Sequence, residues 1–171
     1  MITLDDYYVK GVKTFRGHEG LGYNATLYRG NKKVAFVYDD ASGGELAIEW
    51  QDYKEPKVSI NGKSPYKDEA RTYKGTPEEK ILQELVNELP PEKTDFGQVT
   101  VDIAIFVDGL VSNYEETKQL KKWCKTKTLF RLKGDKEGEW RTIKNQFCDR
   151  VKNYITKTYG NELLEIANER V

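Results

Sequence analysis

The stretch that decides the fold class runs from residue 21 to residue 50 and reads LGYNATLYRGNKKVAFVYDDASGGELAIEW. Apolar and polar side chains alternate in three short runs, and a period of two residues is typical of β-strands with one buried face. Turn-forming residues separate the runs, at Gly30–Asn31 and over residues 39–44. The first 62 residues therefore predict an antiparallel meander. Its expected inward side chains are Tyr23, Ala25 and Leu27, then Val34, Phe36 and Tyr38, then Leu46, Ile48 and Trp50.

A helix is predicted after residue 75. Thr76 is a good N-cap, Pro77 suits the first turn, and Glu79 can complete a capping box. Pro90–Pro91 should end this helix. Residues 63–75 are polar and without a period, so they predict a connection between a sheet part, 1–62, and an α+β part, 76–171. A single core shared by the two parts stays an alternative.

The second half of the chain predicts further strands and helices. Val99–Val107 is rich in β-branched residues and is interpreted as a buried strand. Ser112 or Asn113 should cap a helix. Residues 128–133 and 139–144 should form a hairpin. Asn145 should cap a last helix, which ends at Gly160. Residues 163–171 fit either strand or helix. The predicted class is α+β: an N-terminal antiparallel β-meander followed by a β-α-β-β-α unit, with about three helices.

Charge is distributed unevenly along the chain. The 28 basic and 28 acidic residues cancel, which excludes a globally basic histone-like binder. Residues 75–116 nevertheless carry a net charge of −8, and residues 117–158 carry +9. The second segment predicts a partner-binding surface for either a nucleic acid or an acidic protein, unless the two segments pair with each other. The predicted partner-binding residues are Lys118, Lys121, Lys122, Lys125, Lys127, Arg131, Lys133, Arg141, Lys144 and Arg150.

A glycine-rich stretch, Gly17–His18–Glu19–Gly20–Leu21–Gly22, holds the only histidine. Backbone N–H groups in such a loop can surround an anion, so Gly17, His18, Glu19, Gly20 and Gly22 form a candidate anion site. The alternative is an ordinary hairpin loop. The spacing is that of neither a P-loop nor a dinucleotide fingerprint.

Two pairs of aspartates, Asp39/Asp40 and Asp102/Asp108, could hold a hard cation such as magnesium. The segment from Ile103 to Gly109 resembles the first strand of haloacid-dehalogenase-like phosphatases and of NYN-type ribonucleases. It departs from the first pattern at Phe106, where those phosphatases carry Asp. A metal-dependent hydrolase or nuclease is therefore the alternative function.

The remaining features favour an intracellular interaction protein. Cys124 and Cys148 belong to no CxxC pair and are expected on inward helix faces. No signal peptide is visible, and no apolar run approaches the about 20 residues that span a bilayer. We expect a cytoplasmic, non-enzymatic protein that binds a macromolecule, of the kind found among phage and mobile-element inhibitors. No cofactor, metal site or membrane partner is predicted, and the oligomeric state stays open.

Overall fold

The computed structural model describes residues 1–54 and 75–171, and it has the predicted α+β class. The chain divides into two compact units, Met1–Val111 and Ser112–Val171. The predicted boundary at residue 62 and nearly all of the connection 63–75 lie outside the described residues, so that division of the chain stays a prediction. Within the described ranges, no helix combines the length and the apolar character needed to cross a membrane.

The first unit begins with the predicted meander. A short 3-10 turn, Leu4–Asp6, precedes β1 (Tyr7–Arg16), which the alternation did not single out. Then come β2 (Leu21–Arg29), β3 (Lys32–Asp39) and β4 (Ala47–Trp50). The four strands lie in the order β1-β2-β3-β4, and each neighbouring pair is antiparallel.

The register selects the inward face of each strand. Tyr23, Ala25 and Leu27 of β2 are buried, as predicted. In β3 the prediction is correct for Val34, which is buried, and wrong for Phe36 and Tyr38. Ala35 and Val37 are buried instead. Directly opposite residues share a face, and the pairings Ala25–Val37 and Leu27–Ala35 place these β3 residues on the inner side. The β2–β3 register is irregular between Leu27 and Tyr28, and this irregularity accompanies the change of the inward face of β3.

A bulge in β1 keeps its own apolar residues inward. The register between β1 and β2 shifts between Lys10 and Lys13. Gly11 adopts a φ of 64° there, a conformation that favours glycine. The extra residue brings Val12 to the buried side, where Val9 already lies.

Helix α1, a small hairpin and the first turns of a longer helix follow in the described part of this unit. Helix α1 (Pro77–Asn87) begins as predicted, with the Thr76 hydroxyl accepting the Glu79 N–H at 3.2 Å. The Glu79 carboxylate accepts the N–H of Gly75. Strands β5 (Glu92–Thr94) and β6 (Gly97–Val99) form an exposed hairpin.

The predicted strand over Val99–Val107 is wrong. Helix α2 (Ile103–Cys124) begins in this segment and continues into the second unit. The Asp102 carboxylate accepts the Ile105 N–H at 2.8 Å and so caps the helix. Ser112 and Asn113 consequently lie within the helix and cap nothing. The buried residues Ile103, Val107 and Val111 recur every four positions, which is a helical spacing.

The second unit contains a three-stranded antiparallel sheet in the order β8-β7-β9. Its strands are β7 (Thr128–Leu132), β8 (Arg141–Ile143) and β9 (Leu163–Ile166), and the predicted hairpin corresponds to β7 and β8. Helix α3 (Asp149–Tyr159) begins after Cys148, so the predicted cap at Asn145 is wrong, whereas Gly160 ends the helix as expected. Short 3-10 turns cover Gly160–Glu162 and Ala167–Glu169.

Asn168 joins the end of β9 to the start of β7. Its side-chain oxygen accepts the Leu129 N–H at 2.8 Å. Its amide nitrogen donates to the carbonyls of Lys127 and Cys124 at 2.8 and 3.2 Å. Backbone groups at the end of α2 are thereby satisfied by one side chain.

A charged cluster in the first unit ties α1 to the sheet. Glu78 is only 4% exposed, and Arg29 of β2 donates to both of its carboxylate oxygens at 2.6 and 2.8 Å. The Tyr7 hydroxyl donates to the same carboxylate at 2.9 Å. The Glu78 N–H donates to Asp52 at 2.9 Å. The Arg29 guanidinium holds the pKa of Glu78 below its usual range.

Replacing Glu78 by Gln should lower the free energy of unfolding by about 2 to 3 kcal/mol near neutral pH, because Arg29 loses its buried counter-ion. A carboxylate with a lowered folded-state pKa stabilises the fold above its unfolded-state pKa, and this contribution disappears as the pH falls through the folded-state value. The difference between wild type and variant should therefore shrink below pH about 4. Urea unfolding at a series of pH values measures it.

Glu84→Gln is the matched control for this measurement, since Glu84 lies exposed on the same helix. It should change stability by less than about 0.5 kcal/mol. A pH-independent loss in Glu78→Gln would show that packing rather than charge holds α1 in place.

Candidate nucleic-acid interface

Strand β7 sends alternate side chains to the two faces of the second unit's sheet. Leu129 packs with Leu120 of α2 and with Ala167. Its neighbours Phe130 and Leu132 pack instead with Val151 and Ile155 of α3. The two helices therefore cover opposite faces of one sheet. Basic residues from α2 and from α3 consequently form two surfaces rather than the one that the sequence suggested.

The first surface is the exposed side of the last turns of α2. Lys118, Lys122 and Lys125 lie at i, i+4 and i+7, away from the buried Leu120. Lys118 pairs with Glu115 at 3.3 Å, and such i, i+3 ion pairs are common on exposed helix surfaces. Trp123 in the same region is 39% exposed. We call this tryptophan and the remaining cations of the region the α2 patch: Lys121, Lys122, Trp123, Lys125 and Lys127.

Two of the predicted partner-binding arginines already bind carboxylates of this chain. Arg131 pairs with Glu165 across the β7–β9 ladder at 2.6 Å, and its guanidinium lies 5.3 Å from the Trp140 ring. Arg170 approaches the same ring and the same carboxylate. These contacts make Arg131 part of the framework beneath the surface.

Arg141 is engaged in the same way. It donates through two nitrogens to Asp135 in the β7–β8 turn, both at 2.8 Å. This guanidinium lowers the pKa of Asp135 to about 2, and the Leu132 N–H that donates to the carboxylate acts in the same direction. Seven of the ten predicted residues have no carboxylate partner among the described residues. They are Lys121, Lys122, Lys125, Lys127, Lys133, Lys144 and Arg150.

The second surface follows one side of α3. Arg150, Tyr154 and Lys157 recur at i, i+4 and i+7, so they share a helix face. Tyr154 is 58% exposed, so its ring lies outside the core of this unit. Lys152 lies on the other flank and pairs with Glu169 at 2.5 Å. We call Lys144, Arg150, Tyr154 and Lys157 the α3 patch.

A groove of about 460 Å³ lies beside the α3 patch. Its lining includes Ile143 of β8, the amide side chains of Asn145 and Gln146, and Arg150 and Tyr154 of α3. Cys148 also lines it and is exposed, so the predicted inward position of this thiol is wrong. Sequence reasoning missed the groove, although the spacing of Arg150, Tyr154 and Lys157 was visible.

The glycine-rich loop of the first unit connects β1 and β2. The Gly17 N–H donates to the Gly20 carbonyl at 2.8 Å, and the Glu19 N–H donates to the Ala41 carbonyl at 2.9 Å. These two donors are therefore not directed toward an anion. A Cβ at Gly17 would lie 2.5 Å from that of Ala41, so close packing between two loops explains this glycine. His18 is exposed at the tip.

Each aspartate considered as a metal ligand makes a local contact. Asp39 and Asp40 accept the N–H groups of Ala41 and Ser42, in turns of the chain. Asp102 caps α2, and Asp108 accepts the Tyr23 hydroxyl, while burial raises the Asp108 pKa. Among the described residues, no group of three His, Cys, Asp or Glu side chains could hold a metal ion. Nothing in this arrangement favours the hydrolase alternative.

Comparison with protein-family models, with curated proteins and with solved structures finds no match.

Replacing Lys121, Lys122 and Lys125 together by Glu should leave the fold intact. None of them has a described carboxylate partner, and only the unfavourable charge near the C-terminus of α2 should cost stability, less than about 2 kcal/mol in total. Thermal unfolding followed by circular dichroism measures this effect.

Arg131→Gln provides the contrast, since it removes the 2.6 Å ion pair with Glu165 and one of the two guanidinium groups that approach Trp140. It should lower stability by about 2 to 3 kcal/mol although it changes a single charge. A larger loss in the triple variant than in Arg131→Gln would mean that the α2 lysines pair with acidic residues of this chain.

Proposed function

We propose that this protein binds single-stranded nucleic acid without acting as an enzyme, through the α3 patch of its second unit. One observation carries the proposal: an exposed tyrosine lies between two cations on the same face of α3, beside an open groove. Arg150 and Lys157 have no carboxylate partner among the described residues.

Phosphate groups are the natural counter-ions for such cations. Lys and Arg side chains that neutralise phosphates release condensed counter-ions, which supplies much of the affinity for nucleic acid. Arg131, Arg141 and Lys152 are already neutralised internally. The cations that stay unneutralised are the ones that an external polyanion would stabilise.

The exposed aromatic side chains favour nucleic acid over an acidic protein. The carboxylates of an acidic protein would pair with the cations but would leave the aromatic ring without a role. An unpaired base can also stack on Tyr154, because every base has a π-face. In this proposal the α2 patch adds long-range attraction and makes no direct contact, because α2 covers the opposite face of the sheet.

Binding should be salt-dependent and should favour single strands. Three phosphate contacts give a slope of about −2 in log affinity against log salt, so affinity should fall about 20-fold between about 50 and about 200 mM salt. Fluorescence anisotropy with labelled single-stranded and duplex oligonucleotides measures both effects. If neither form binds at the lower salt concentration, the proposal is wrong and an acidic protein becomes the partner to seek.

Charge reversal separates a local contact from a general charge effect. Lys144→Glu, Arg150→Glu and Lys157→Glu together should reduce single-strand affinity by more than about 50-fold at about 50 mM salt. The triple variant at Lys121, Lys122 and Lys125 changes the net charge by the same amount and should cost less than about 5-fold. Equal losses in the two variants would contradict a contact surface on α3.

A further inference from the structure

We infer that the groove between β8 and α3 holds one unstacked base of the bound strand. This inference rests on the proposed function and adds how the strand is recognised. The groove volume of about 460 Å³ lies within the range of about 300 to 1,000 Å³ that is typical of small-molecule sites. The site is thus large enough for a planar ring but is not a general docking face.

The groove walls combine the three chemistries that base recognition needs. Ile143 and Val151 supply apolar surface, and Tyr154 supplies an exposed aromatic ring. The side chains of Asn145 and Gln146 are exposed and make no hydrogen bond within the described residues. An amide offers both a donor and an acceptor, which matches the mixed edge of a nucleobase.

The charge of the lining selects an anionic ligand. Arg150 is the one cation among the lining residues, and they include no acid. A guanidinium can bind a phosphate through two parallel hydrogen bonds. Tyr154 lies one helical turn after Arg150. With this spacing the Tyr154 ring can contact a base while the Arg150 guanidinium contacts a neighbouring phosphate.

The amide-bearing loop is held in place from below. The Thr128 side chain is fully buried, and its hydroxyl donates to the Asn145 carbonyl at 2.8 Å. Val151 packs into the core under the groove, beside Phe130. This support fixes the backbone of Asn145 before a ligand arrives, so less ordering is needed on binding.

Tyr154→Ala is the decisive variant. Base–aromatic stacking predicts an affinity loss of about 5- to 150-fold for single strands. The salt slope should stay unchanged, because no phosphate contact is removed. Tyr154→Phe keeps the ring and should bind like wild type, and Arg150→Gln should reduce the slope by about 0.7. Trp123→Ala, on the opposite face of the sheet, is the matched aromatic control and should bind like wild type.

One spectroscopic and one chemical measurement report on the groove directly. A 2-aminopurine base in the oligonucleotide should change its fluorescence on binding to wild type and to Tyr154→Phe, but not to Tyr154→Ala. Bound strand should also slow alkylation of the Cys148 thiol, which lines the groove. Cys124 is half-buried, and burial raises its pKa, so its slower reaction serves as an internal reference.

The outcomes separate the two proposals. If wild type binds single strands and Tyr154→Ala binds equally well, the base pocket is wrong while nucleic-acid binding stands. If wild type binds no strand, both fail. If a nucleoside monophosphate displaces the strand at equal concentration, the groove is a mononucleotide site, and recognition of a strand through it is wrong.

Discussion

The two-residue alternation of β7 is the constraint on which the second unit depends. Leu129 and Arg131 face α2, whereas Phe130 and Leu132 face α3. Each helix therefore has its own apolar contact, and each leaves its own basic side exposed. A slip of one residue in this strand would exchange the two faces and place the Arg131 guanidinium in the core under α3.

Ion pairs within the chain distinguish the charged side chains that stabilise the fold from those that are available to bind a partner. Arg29 and Arg131 hold carboxylates that lie far from them in the chain, and both ion pairs join separate elements. Such pairs organise the fold, because a charge left alone in a partly buried place is costly. Arg150 is the same residue type in an exposed place, and within residues 1–54 and 75–171 it has no carboxylate partner. The count of basic residues in a segment says little about binding until these roles are separated.

Local signals predicted most of the fold, and their failures have physical causes. The meander, the α1 cap and the β7–β8 hairpin follow from contacts between residues close in sequence. The run Ile103–Val107 fits strand or helix equally well, because a short apolar run has no decisive period. The Asp102 cap and the spacing to Val111 favoured the helix. The Arg131–Glu165 pair depends on a strand pairing between distant segments, which no local pattern reveals.

At the candidate site, the residue types were predictable but their grouping was not. The basic character of residues 117–158 is visible in the sequence, and so is the helical spacing of Arg150, Tyr154 and Lys157. The separation into two surfaces needs the sheet between α2 and α3. The groove needs the loop of Asn145 held against the buried Thr128 of β7, a contact between residues 17 positions apart in the chain.

The position of β9 sets an order of events during synthesis. Strands β7 and β8 and helix α3 can assemble as soon as they leave the ribosome, since their contacts are local. One edge of β7 stays unpaired until Leu163–Ile166 and the Asn168 side chain follow. During that interval the nascent chain presents an open strand edge beside Phe130, a template for pairing with other chains. Residues 163–168, which are translated after β7, β8 and α3, thus protect β7 from pairing with other chains and also complete the core of this unit.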